Sequence, residues 1–203
     1  MAAARGSFVA LDGANGTSMS APREDIVDRT LRWMGENLTG AYTACHPIGH
    51  PEAGKHCTNS GTCIVACCYI GALGKVLLKG GPVRKDRRDF ARFQAFLRTC
   101  MNDFMVESST LAWPATPRGR NGGDEWLYEV FRCGFVHGFY PSASVSWGRH
   151  RSLKKYWFHH RSRLTLNIDE LIRGFERGVT EFRRQMVLDP DLRSRFKDYI
   201  LTD

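Results

Sequence analysis

Arg132 and His137 are the two side chains whose types and spacing best suit a chemical step. A histidine with an unperturbed pKa of about 6.5 can take or give a proton at neutral pH. A guanidinium stays charged and forks onto phosphate oxygens, where it offsets charge that builds up in a transition state. Together they could act on a phosphate group. On an ideal α-helix, residues five apart project roughly 140° from each other. To reach one phosphate, the helix must bend at Gly134, Arg132 must reach around, or a second copy must face the first. The last arrangement predicts a homodimer with a composite cleft. The competing structural role pairs Arg132 with Glu129 or Tyr128 along its own helix face and leaves His137 a satisfied, partly buried histidine.

The charge is concentrated in one interval. The chain carries 29 Lys+Arg against 21 Asp+Glu, a net +8. Between Glu129 and Asp169 there is no acidic residue, while Arg132, Arg149, Arg151, Lys154, Lys155, Arg161 and Arg163 supply 7 of that +8. Trp147, Tyr156, Trp157, Phe158, His150, His159 and His160 are interleaved with them. Cations contact phosphates and aromatic faces stack on unpaired bases. The expected nucleic-acid contacts, with RNA as the partner, are therefore Arg149, Arg151, Lys154, Lys155, Arg161 and Arg163. The alternatives are a solvated hairpin whose aromatics pack on the core, and an acidic protein partner.

A second cluster could hold a metal. Cys45, His46, His50, His56, Cys57 and Cys63 place six nitrogen or sulfur donors within 19 residues. Zinc needs four in a tetrahedron. No Cys-x2-Cys pair is present in the loop, and Pro47 argues against one helix holding both His46 and His50. The default is a loop without metal, so no metal ligand is assigned. A bound metal would order this loop.

These residues need a scaffold. A chain of 203 residues suits one domain. Its 42% hydrophobic and 25% charged content excludes wholesale disorder and coiled-coil composition. Seven cysteines and no leader-like apolar run in the first 20 residues suggest a cytoplasmic protein with reduced thiols. The most apolar stretch, 63–78, contains Lys75 and falls short of the roughly 20 residues a bilayer span needs, so no membrane insertion is expected.

Residues 1–21 read as a loose N-terminal arm and 22–203 as a single helical domain. Ile26, Leu31, Met34 and Leu38 recur at helical spacing, ending near Gly40. Thr62 is a candidate cap for a helix over 63–78, stopped by Gly80-Gly81-Pro82. Phe90, Phe93, Phe96, Leu97, Cys100, Met101, Phe104 and Met105 predict one further helix with a broad apolar face. Asp124 is a candidate cap for a helix reaching 139. Alternation at Val145, Trp147, Tyr156, Phe158, Leu164 and Leu166 predicts two or three short strands. Asn167 then caps a helix over 168–188, and a last short helix fits 190–201. The sum is a mainly α fold, a helical bundle with a small β-hairpin insertion around 142–167.

Arg132-Cys-Gly-Phe-Val-His137, late in a bundle helix and followed by Phe139-Tyr140-Pro141, resembles the Arg-x4–6-His signature of HEPN domains. The resemblance spans residues 22–188. It implies a small all-α domain, often dimeric, and for many members a metal-independent endoribonuclease of toxin, defence or RNA-processing systems. The resemblance implies that Arg132 and His137 are its catalytic pair, cleaving RNA by attack of its own 2′-hydroxyl to leave a 2′,3′-cyclic phosphate, with no metal or other cofactor. Cys133 stands where active members usually carry Asn, Asp or His. The alternative within the same fold is a non-catalytic module that binds nucleic acid or protein.

Overall fold

The computed structural model describes residues 24–44, 59–78, 88–114, 116, 119, 121–134 and 145–202. Its centre is a helix that is apolar almost all round. Helix α2 (Asn59–Leu77) buries Cys63, Ala66, Cys67, Ile70, Leu73 and Val76. A helix with no polar stripe must be surrounded, and α2 touches α1 (Ile26–Ala44), α3 (Arg88–Cys100), α6 (Ile168–Leu188) and α7 (Pro190–Thr202). The closest of these approaches is to α3, at Gly74. A Cβ there would overlap the main-chain carbonyl of Arg92.

The flanking helices are amphipathic. Helix α1 buries Val27, Leu31, Met34 and Leu38, and the Asp25 carboxylate accepts the Val27 N–H at 2.9 Å. Helix α6 buries Leu171, Ile172, Phe175, Val179, Phe182 and Met186 at spacings of one, three and four. Asp189 and Pro190 turn the chain back, and α7 docks Phe196 edge-on against Phe182 at 5.3 Å. The observed α6 and α7 match the expected spans to within a residue.

Two expected helices differ in detail. The apolar face from Phe90 to Met105 is split into α3 and α4 (Asn102–Ser109), because Met101 leaves the helical region at φ −128°, ψ 46°. The split turns α4 so that Asp103 and Glu107 reach the sheet. The helix expected from Asp124 starts with Gly122 as its N-cap, and Asp124 instead accepts a hydrogen bond from Gln94 at 2.6 Å. It runs as a short α5 (Gly123–Trp126) and then continues as a π-helix, Leu127–Gly134. Thr62 lies inside α2 and not at its cap.

The strands form more than a hairpin. β1 (Val145–Gly148), β2 (Trp157–His160) and β3 (Arg163–Asn167) make a sheet of order β1-β3-β2. β2 and β3 are an antiparallel hairpin, and β1 pairs parallel to β3 with Val145 opposite Leu164 and Gly148 opposite Asn167. Val145, Trp157, Leu164 and Leu166 face the core, where Trp157 packs against Phe104, Trp113 and Phe131. The fold is therefore mainly α with a small mixed sheet. Among the described residues, no helix is long and apolar enough to cross a membrane.

Candidate functional site

The π-helix sets the surroundings of Arg132. Its hydrogen bonds run i→i+5, one residue longer than in an α-helix, and such turns recur at functional sites. Side chains five apart then come together, as Tyr128 and Cys133 do in a side-chain hydrogen bond. Phe90 and Phe93 of α3 fix the Tyr128 ring at centroid distances of 5.2 and 5.4 Å. That ring in turn carries the Arg132 guanidinium, 5.1 Å above its centroid. Burial, ahead of the neighbouring Cys133, pushes the Tyr128 hydroxyl above its ordinary pKa, so it stays neutral.

Arg132 faces a cavity of about 240 Å³ walled by Cys68, Gly71, Ala72, Lys75, Asp89, Arg92, Arg132 and Tyr199. Three cations line it against one carboxylate. Arg92 is bonded to Asp89 at 3.0 Å, and the Lys75 ammonium lies 4.5 Å from the Tyr199 ring centroid. Arg132 Nη1 reaches Cys133 Sγ at 3.9 Å, a weak contact. Its Nε is buried and has no hydrogen-bond partner among the described residues. Gly71 of α2 lies beside that Nε, and a Cβ there would stand at ordinary contact distance, 3.8 Å. An incompletely satisfied cation in a positively lined recess is suited to an anion. His137 lies outside the described residues.

The basic segment lies elsewhere. None of the cavity's walls comes from 145–167. Arg151, Lys154, Lys155, Arg161 and Arg163 are exposed, as are His150, His159 and His160. Arg149 is not. Its Nε and Nη2 bond Asp169 Oδ1 at 2.9 and 2.7 Å, and its guanidinium stacks on Tyr42 at 4.1 Å. The one aspartate that closes the acid-free interval thus removes Arg149 from the surface set.

The loop between β1 and β2 is held from its inner side. Asn167 is fully buried. Its Nδ2 faces the carbonyls of His150, Leu153 and Lys155 at 3.2, 3.1 and 3.0 Å, and its Oδ1 accepts the His150 N–H at 3.1 Å. It is the N-cap residue of α6, as expected, yet its side chain makes no capping bond. Glu107 accepts the N–H groups of Tyr156 and Trp157 at 3.1 and 2.9 Å. Arg173 donates to the carbonyls of Arg151 and Leu153 at 3.1 and 3.0 Å. The main chain is pinned inward while Arg151, Lys154 and Lys155 point out. Sequence reading missed Asn167 and Glu107 as organisers, as well as Lys75 and Arg92 as the partners of Arg132. No local pattern joins any of them to the segment they serve.

Comparison with family models, curated proteins and solved structures gives no match.

The remaining candidate chemistry is that of the cysteines. Burial, then a hydrogen bond that the Cys67 S–H donates to Cys63, raises the Cys67 thiol well above its ordinary pKa. Burial also raises Cys68, and it pushes Cys100 up to about 12. These thiols stay protonated and are poor nucleophiles. Of the proposed metal loop, Cys45, His46, His50, His56 and Cys57 lie outside the described residues, and Cys63 is buried in α2. Among the described residues, no group of three or more His, Cys, Asp or Glu is placed to hold a metal ion.

Proposed function

We propose that this chain is an HEPN-like RNA-binding protein that cleaves RNA without a metal, with Arg132 holding the scissile phosphate and His137 moving the proton. The reading rests on one observation above all: Arg132, with Lys75 and Arg92, lines a recess that contains a single carboxylate. A phosphodiester in the recess would meet the Arg132 guanidinium that lines it. In the reaction the 2′-oxygen bonds to phosphorus as the bond to the 5′-oxygen breaks. His137 accepts the 2′ proton or supplies one to the leaving 5′-oxygen, and Arg132 offsets the charge on the phosphoryl oxygens. A second copy of the chain completes the cleft in the dimer that the resemblance implies.

Cleavage of a mixed-sequence RNA in EDTA tests the proposal. Native protein should yield 2′,3′-cyclic phosphate ends. His137→Ala and Arg132→Ala should each lose roughly 100-fold or more, since a positioned acid–base group and a donor that stabilises transition-state charge each contribute about that much. Equal cleavage by all three proteins refutes the assignment. Binding without cleavage by the native chain supports the second reading, a non-catalytic module. Cys133, in place of the usual polar residue and engaged by Tyr128, favours that reading.

A further inference from the structure

The outer face of the sheet has features that the cavity does not use. The strand register puts Ser146, Gly148, Phe158, Thr165, His160 and Arg163 on the face opposite the core. Thr165 in the central strand is buried, and its hydroxyl is 2.8 Å from that of Ser146. Phe158 belongs to one edge strand and Gly148 to the other. A Cβ at Gly148 would nevertheless lie 3.7 Å from Phe158 Cζ and 3.3 Å from Thr165 Cγ2. The Phe158 ring therefore extends across β3 and over Thr165 toward Gly148. His150 closes one end of the ring, edge-on at 5.6 Å and 72°. The side chain of Phe158 is only half-buried.

Cations stand at the other end. Arg163 is exposed on the same face, and Arg161 is exposed in the turn. That turn has φ of 47° at Arg161 and 63° at Ser162. Two-residue hairpins needing positive φ at both positions favour Asn-Gly, so Arg-Ser is a strained choice that puts a cation at the tip. No acidic residue occurs between Glu129 and Asp169, and Asp169 is taken up by Arg149 and Tyr42. A flat aromatic ring framed by cations, without anions, complements a base flanked by phosphates.

We infer that this face is a stacking platform for single-stranded RNA: an unpaired base lies on Phe158, and its flanking phosphates meet Arg161 and Arg163. The inference rests on the RNA reading above and names the form of RNA that the protein takes. It is tested with 2′-O-methyl oligouridine, which cannot undergo attack by a 2′-hydroxyl, so binding is measured apart from cleavage. Fluorescence anisotropy should show tighter binding to this strand than to an RNA duplex of equal length. Phe158→Leu should weaken single-strand binding roughly 10-fold, within the range of one lost stacking contact. Phe158→Trp should preserve it. Arg163→Ala should lower the slope of log K against log salt by roughly 0.7. Far-UV circular dichroism checks that each variant is folded. A Phe158→Leu protein that binds like the native one overturns the platform, as does equal or better binding to duplex. If Arg132→Ala still abolishes cleavage in that case, only the platform falls. If native protein binds neither probe and cleaves no RNA, both proposals fall.

Discussion

Asn167→Asp separates two roles for one residue. As a helix cap, aspartate is as good as asparagine, and its charge favours the N-terminus of α6. On that basis the substitution is neutral or slightly stabilising. The structure assigns Asn167 a different task, because its amide faces three main-chain carbonyls and makes no capping bond. Two N–H groups serve three acceptors, so at least one is shared. Aspartate removes both donors and sets a carboxylate against the same oxygens in a fully buried position. The Leu153 N–H still serves the His150 oxygen and Arg173 the Leu153 oxygen, so the Lys155 oxygen is the one left short of a donor, and the uncompensated buried charge sets the expected total at about 3–5 kcal/mol.

Urea denaturation measures this directly. With a slope of about 2 kcal/mol per molar, the midpoint should fall by about 2 M. A pH series adds a check of sign. Burial and the carbonyls raise the pKa of the introduced carboxyl in the folded state above its unfolded value near about 3.9. The folded form then binds more protons than the unfolded form, so the deficit shrinks as pH falls from 7 toward that unfolded value. Asn167→Ala, which adds no charge, should cost less than Asn167→Asp at pH 7. A loss below about 1 kcal/mol for Asn167→Asp, the scale of a cap, refutes the loop-holding role.

Further expectations concern the frame. Gly74→Ala should cost about 3 kcal/mol or more by forcing α2 from α3, whereas Gly35→Ala, with nothing within 4 Å of its added Cβ, should gain about 0.5–1 kcal/mol by thermal or urea unfolding. Replacing Arg161-Ser162 with Asn-Gly should stabilise the hairpin by about 1 kcal/mol or more, and it should weaken single-strand RNA binding. Cys63, Cys67 and Cys100 should resist alkylation at pH 8 until global unfolding, read by peptide mass spectrometry, because burial keeps their side chains from the reagent. Modification of Cys100 at the rate of a free thiol peptide would contradict its placement.

The parts of the fold legible in the sequence are those that local periodicity dictates. Helix α6 repeats its apolar residues every three or four positions, and Pro190 marks the start of α7. Alternation in 145–167 announces the strands. The order β1-β3-β2 is not local, because β1 pairs with a strand that follows it only after β2. The break at Met101 is hidden for a similar reason. The apolar stripe runs through it unbroken, and α4 turns away where Asp103 and Glu107 bond Tyr156 and Trp157, about fifty residues on. The π-helix is invisible because α and π turns differ by one residue, and Leu127, Val130 and Phe131 satisfy either. For the site, Arg132 was singled out by its type and its spacing to His137, and the exposed cations of the hairpin by charge. Arg149 was indistinguishable from them until Asp169 came within bonding distance.

The cavity and the sheet do not share a wall, but they share a support. Phe131, next to Arg132, is fully buried and meets Trp147 of β1 edge-on at 6.3 Å and Trp157 of β2 at 6.2 Å. Trp157 is in turn fixed through its main chain to Glu107 and through its indole to Ser108, at 2.9 and 3.2 Å. The π-helix that carries Arg132 is thus braced on one side by α3, through Tyr128, and on the other by the sheet. Phe131→Leu should keep most of the apolar burial and lose the two ring contacts, with stability reduced by about 1–2 kcal/mol. If the bracing positions Arg132, RNA cleavage should fall further than that stability loss explains, while binding of the uncleavable strand to the sheet face stays near native. A variant that is destabilised but cleaves normally would show that the sheet supports the core without positioning the arginine.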